Sequence, residues 1–190
     1  DGSCVSVGAT LLLDSGWAYR VTKKIIEQQA ESFQKIFSGL KRAYGVLLST
    51  EGTNTRGKVE ARYMIKRQAS TITQWIEHLE GTAGMVPIPI RDDGCINFGA
   101  IDVDVYDGLD VVGLQRKIQE LKLPLTVCMS KSGGVHLYVF MKHPTLAREV
   151  VDALQHWALV LGFPGVEIFP KQISLSSEMD VGSGIGVPYY

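Results

Sequence analysis

Between residues 96 and 169 the hydrophobic period switches between two and 3.6 residues, and the order of those switches constrains the fold more than any other feature of the chain. Residues 96–105 alternate as a strand does, and residues 111–121 carry a helical stripe. Residues 125–130 form a second strand pattern closed by Lys131-Ser132-Gly133-Gly134, and residues 135–141 form a third. A long amphipathic stretch over residues 145–161 ends at Gly162 and Pro164, and residues 166–169 read as a fourth strand stopped by Pro170. Strand, helix, strand, strand, helix, strand is a short list of topologies. Right-handed crossovers set the first and third strands side by side at the centre, with the fourth beside the first.

The expected fold class is therefore α+β, with a ferredoxin-like βαββαβ unit over residues 96–190 and an N-terminal α/β lobe over residues 1–95 packed on it, together one domain. In the N-terminal part, Val21, Ile25, Ile26, Phe33, Ile36, Phe37 and Leu40 predict an amphipathic helix over residues 19–40, with Gly39 and Gly45 at its exit. Ile72, Trp75, Ile76 and Leu79 predict a shorter helix over residues 70–79, stopped by Gly81 and Gly84. Residues 49–57, rich in Ser, Thr, Glu, Gly and Asn, read as an exposed loop.

A chain of 190 residues that is 45% hydrophobic can bury one substantial core, which excludes a disordered tail or a mini-protein. Its 19 basic and 20 acidic residues leave a formal net charge of −1, which excludes a polybasic nucleic-acid coat but not a locally basic groove. The longest apolar runs, such as Leu11 to Leu13, fall far short of the roughly 20 residues a membrane span needs, so no membrane partner is expected. No Lys or Arg precedes Arg20, so no secretory leader pattern is present. Cys4, Cys95 and Cys128 are odd in number and far apart. They offer neither a disulfide framework nor a zinc site, and a reducing cytoplasm is the expected location.

Chemistry concentrates on one face of the expected sheet. Period two sends Asp102 and Asp104 to one side of the first strand and Ile101, Val103 and Val105 to the other. Two carboxylates so close stay ionised together only with a cation between them or with free access to water. Hard oxygens of this kind suit Mg²⁺ or Mn²⁺. In the fourth strand Glu167 lies between apolar neighbours and joins the aspartates on the same face, while the third strand brings His136 and Tyr138 there. The turn of Ser130, Lys131, Ser132, Gly133 and Gly134 can offer backbone N–H groups, hydroxyls and an ammonium to a phosphate. Lys171 and Gln172 stand ready to add contacts to phosphate or template.

Three acids holding divalent metal opposite a phosphate cradle is what nucleotidyl transfer requires: two metals activate a 3′-hydroxyl and stabilise the departing pyrophosphate. Upstream, Lys41, Arg42, Arg56, Lys58, Arg62, Lys66 and Arg67 outnumber Glu51 and Glu60. That local excess suits a nucleic-acid backbone.

At these residues the sequence resembles the archaeo-eukaryotic primase superfamily, particularly its phage and plasmid primase-polymerases. The Asp-x-Asp motif is matched by Asp102 and Asp104, the Ser-Gly-Gly-x-His motif by Ser132 to His136, and the third acidic motif by Glu167 with its Ile168-Phe169-Pro170-Lys171-Gln172 continuation. His78-Leu79-Glu80-Gly81 and the closing Gly184-Ile185-Gly186-Val187-Pro188-Tyr189-Tyr190 resemble the same branch. The resemblance implies an RRM-like catalytic palm that extends DNA on a template, with Asp102, Asp104 and Glu167 as metal ligands and Ser130, Lys131, Ser132, Gly133, His136 and Lys171 around the nucleotide. It implies DNA template and primer, dNTPs or rNTPs as substrates, and a helicase domain elsewhere in the full-length protein. Zinc is not expected, since no Cys/His cluster is present. Three rivals remain open: a metal-dependent nuclease and a nucleotidyl cyclase, which both use similar carboxylates with Mg²⁺, and a non-catalytic RRM-like module, which would place aromatics where acids stand here.

Overall fold

The computed structural model describes residues 15–53, 59–105, 108–130 and 133–190. Eleven elements follow one another: α1 (Ser15–Ile36), β1 (Tyr44–Thr53), β2 (Val59–Lys66), α2 (Ile72–Leu79), β3 (Gly84–Val86), β4 (Cys95–Val103), α3 (Val111–Glu120), β5 (Thr126–Met129), β6 (Val135–Leu146), α4 (Ala147–Leu161) and β7 (Glu167–Phe169). The class is α+β. The strands form two antiparallel sheets, a three-stranded one in the order β2-β1-β3 and a four-stranded one in the order β5-β6-β4-β7. In the larger sheet β4 and β6 are the inner strands, and β7 lies beside β4.

The stretch at 49–57, expected as a loop, belongs in large part to β1, which continues to Thr53. Its polar residues were a poor guide because β2 supplies backbone partners there, at Ser49↔Ala61 and, past a shift in register, at Thr53↔Val59; the rest of the stretch lies outside the described residues. The first helix starts earlier and stops sooner than the apolar stripe alone suggests, at Ser15 and Ile36, and Phe37 and Leu40 beyond it still enter the core.

Alternation in β4 and β6 divides the core in two. On one face Ile101, Val103, Val135, Leu137 and Val139 pack with Leu114 and Ile118 of α3 and Val150, Leu154, Ala158 and Leu161 of α4. On the other face Phe98, Ala100, Tyr138 and Phe169 meet Ala30 and Phe37, Trp75, Met85 and the closing residues Ile185 and Val187. Both clusters mix residues from before and after position 95. Caps fix the helix ends: the Thr71 N–H donates to Gln74 Oε1 at 2.8 Å, Asp110 Oδ1 accepts from the Gly113 N–H at 2.8 Å, and Gly162 closes α4 with φ +95°.

Candidate functional site

Register, more than sequence proximity, assembles the site. Asp102 of β4 pairs with His136 of β6 and with Glu167 of β7, and His136 pairs in turn with Cys128 of β5. Residues directly opposite each other point to the same side. One row therefore crosses the sheet in the order Cys128, His136, Asp102, Glu167. Two residues back along the strands, the row Thr126, Tyr138, Ala100, Phe169 supports it from the aromatic core side.

Asp102 is the carboxylate set deepest in this row, with 16% of its side chain exposed. Its Oδ1 is buried without a hydrogen-bond partner, and His136 Nε2 stands 3.4 Å away outside hydrogen-bond geometry. The imidazole's other side explains that geometry. Burial, with Cys128 and Asp102 adding to it, pushes the Tyr138 phenol pKa far up, so the hydroxyl keeps its proton. That proton is donated to the Gly186 carbonyl, and the same hydroxyl lies 2.9 Å from His136 Nδ1. Tyr138 must then accept from Nδ1–H, which leaves Nε2 without a proton in the neutral imidazole and with one only in the imidazolium. A neutral His136 thus faces Asp102 lone pair to lone pair. A cation at Oδ1 or protonation of His136 removes that conflict.

The other expected residues fall around this pair unevenly. Asp104 follows the end of β4, one residue past Val103, and is exposed. Glu167 holds its place in the row but is 56% exposed and forms an ion pair with Lys171 at 2.8 Å. Lys171 also stands 5.2 Å from the Phe169 ring centre, so its ammonium is engaged where a phosphate contact was expected. Among the described residues no three His, Cys, Asp or Glu side chains lie close enough together to hold a metal ion. What fits a divalent cation is the unpaired Asp102 oxygen, a hard donor, with Glu167 as its neighbour in register.

The turn before His136 is a tight hairpin. The Ser130 N–H donates to the Gly134 carbonyl at 2.8 Å and the Gly133 N–H to the Ser130 carbonyl at 3.1 Å. Those two donors are spent inside the turn, against the expectation that they face an anion. Lys131 and Ser132 lie outside the described residues. The glycines have separate reasons: Gly133 holds φ +96°, and a Cβ on Gly134 would lie 2.5 Å from the Val103 carbonyl oxygen. The turn is thereby pressed against the end of β4 that carries Asp104.

A cavity of about 200 Å³ opens beside His136, between the Ser130 end of β5 and the closing segment from Gly186 to Tyr190, with Leu47 and Met85 behind it. Apolar walls with a few convergent polar groups next to a carboxylate suit one ring of a ligand rather than a whole one. The closing segment is held there by three bonds: the Ile185 N–H to the Pro87 carbonyl at 3.1 Å, Tyr138 to Gly186, and His78 Nε2 to the Pro188 carbonyl at 2.7 Å. His78 is fully buried and its Nδ1 accepts from the Met85 N–H at 3.1 Å, so it is a neutral donor to Pro188. Sequence reasoning did not foresee this strap. The pairing of a His on α2 with a segment about 110 positions on leaves no local pattern.

Of the basic residues expected to form a groove, Arg42 bonds Asp92 at 2.9 Å and the Asp180 carbonyl at 2.7 Å, and Arg67 bonds the Met179 carbonyl at 2.9 Å. They tie down the chain that follows β7. Lys41, Arg62 and Lys66 are exposed, and Arg56 and Lys58 lie outside the described residues. Among the described residues no helix is long and apolar enough to cross a membrane. No protein-family model matches this chain, and no curated protein matches it.

Proposed function

We propose that the chain is the catalytic core of a template-dependent nucleotidyltransferase of the archaeo-eukaryotic primase type, which adds dNTPs or rNTPs to a 3′-hydroxyl on a DNA template. The observation that carries the reading is the unpaired, buried Asp102 oxygen on an inner strand, flanked in register by His136 and Glu167. A βαββαβ palm in its RRM-like form is the scaffold this reading assumes, and the β5-β6-β4-β7 order supports it. Mg²⁺ or Mn²⁺ held by Asp102, Glu167 and Asp104 would neutralise the triphosphate and favour loss of the hydroxyl proton. For Glu167 to contribute, Lys171 must leave it, and an incoming triphosphate is a competing partner for that ammonium. His136, steadied through Tyr138, is placed to donate from Nε2 to a phosphate oxygen when protonated. The cavity beside it would take the sugar or base of the nucleotide.

The Glu167–Lys171 pair favours a second reading, a non-catalytic nucleic-acid-binding module in which this ion pair is permanent. Incubation with primed template, dNTPs and Mn²⁺ separates the two. Primer extension by the wild type that Asp102→Asn reduces by at least about 10²-fold supports the polymerase. DNA bound but unchanged supports the module, and shortened template supports a nuclease.

A further inference from the structure

A residue other than glycine at positive φ is uncommon, and for a bulky side chain it needs a reason. Among the described residues there are two. Lys122, at φ +54°, closes α3, where its N–H and that of Leu123 bond back to the Gln119 and Ile118 carbonyls. Tyr189, at φ +79°, belongs to no helix, and it is also 76% exposed. A strained backbone that leaves an aromatic ring in water is an arrangement folding alone does not favour.

Both neighbours hold Tyr189 in place. His78 bonds the Pro188 carbonyl, and the Tyr190 ring stacks on the His78 ring with centres 6.0 Å apart. The same Tyr190 ring lies over Gly84, where an added Cβ would stand 2.5 Å from it. The Tyr189 ring meets Phe33 at a tilt of 59° with centres 5.7 Å apart, and its exposure leaves a face open to solvent.

Tyr189 stands between two cavities. One is the cavity beside His136. The other is a groove of about 650 Å³ along α1, with apolar walls from Ile25, Ile26, Phe33 and Leu79 and the exposed amides of Gln28 and Gln29. Among the described residues none that lines this groove is charged. A free nucleotide would carry its phosphates into a groove with no cation, whereas a strand can turn in one base and keep its phosphates in water. The amides offer donor and acceptor to a base edge, and the open tyrosine face stacks on any base.

We propose that Tyr189 is a stacking post for one unpaired base of the template strand, seated in the groove along α1 next to the His136 cavity. The proposal rests on the nucleotidyltransferase reading, which makes a DNA template the partner.

The test titrates the full chain into an eight-nucleotide single strand carrying one fluorescent purine analogue whose emission falls on stacking. Wild type should quench it saturably, Tyr189→Phe should bind within about twofold of wild type, and Tyr189→Ala should bind about tenfold more weakly. Tyr189→Gly should lose the same affinity while its thermal midpoint does not fall, because glycine accepts the backbone angle; a structural role would lower the midpoint. A duplex of the same sequence should compete at least about tenfold more weakly than the single strand, and dATP with Mn²⁺ should bind Tyr189→Ala as it binds wild type. The proposal is overturned by undiminished affinity in Tyr189→Ala, by a lowered midpoint in Tyr189→Gly, by equal competition from duplex, or by loss of dATP affinity in Tyr189→Ala. Primer extension on the same samples separates this claim from the reading beneath it. A wild type that extends primers while Tyr189→Ala binds the strand normally sinks the stacking post alone, and a wild type that neither binds the strand nor extends primers sinks both.

Discussion

At Asp102 the protein keeps a buried carboxylate oxygen without a partner, an arrangement that costs folding energy and is relieved by a bound cation or a protonated His136. Asp102→Asn keeps the shape and removes the charge, so the thermal midpoint should stay level or rise while nucleotide incorporation is lost; a fall in both would mark Asp102 as structural. Tyr138→Phe tests the support beneath it. It leaves His136 Nδ1 and the Gly186 carbonyl without their shared partner and should cost about 1–3 kcal/mol in urea unfolding. Weaker nucleotide binding should accompany that loss if His136 is held for phosphate. His78 sets a pH dependence. Burial, opposed in part by the bond to Pro188, holds its pKa below the ordinary 6.5. The unfolded chain then takes up the proton first, so the His78 contribution is complete above about pH 6.5 and is lost as pH falls from there toward the folded value. Stability measured from pH 7.5 down to 5 should decline, and His78→Gln, already weakened at neutral pH, should decline less over that range.

Among the elements, the hairpin between β5 and β6 depends most on one backbone angle. Gly133 sits at φ +96°, where an L side chain is strained, so Gly133→Ala should cost about 1–2 kcal/mol and displace His136 along with the turn. Chemical denaturation gives the first quantity and nucleotide affinity the second. How much of this was legible in the sequence varies by element for physical reasons. The helices α3 and α4 stand out because burial on one side imposes a clean period, the strands β4 and β6 because apolar residues on both faces are interrupted by polar ones at the site, and the faces assigned to Ile101, Leu137, Asp102 and His136 are those observed. Asp104 lies one residue beyond β4, which ends at Val103 while the alternation in the sequence runs on for two more residues. The hairpin of β1 and β2 was missed in part because Tyr63 and Ile65 are 47% and 40% exposed, so their alternation marks a strand but no buried face. The Glu167–Lys171 pair and the strap over Tyr138 were invisible, since each depends on where the chain goes after Pro170.

For the molecule as a whole, the sequence predicts a lobe over residues 1–95 packed on the unit over residues 96–190, and both hydrophobic clusters draw residues from each. Phe37 touches Trp75 on one side and Phe98, Tyr138 and Phe140 on the other, with ring centres 5.3 to 6.5 Å apart. Phe37→Ala should therefore cost about 3–5 kcal/mol, and far-UV dichroism and tryptophan fluorescence should report one shared unfolding transition. Two separated transitions would show that the halves fold independently. The row across the larger sheet has a further consequence. Strand β7 contributes only three residues, Glu167 to Phe169, and a slip of a single position against β4 would exchange Glu167 for Val166 or Ile168 beside Asp102. A refolded sample then recovers its full helix and sheet content while a share of its molecules carries no second acid beside Asp102, so the fraction that re-forms the Asp102–Glu167 pairing is a direct reading of how faithfully this three-residue strand finds its place.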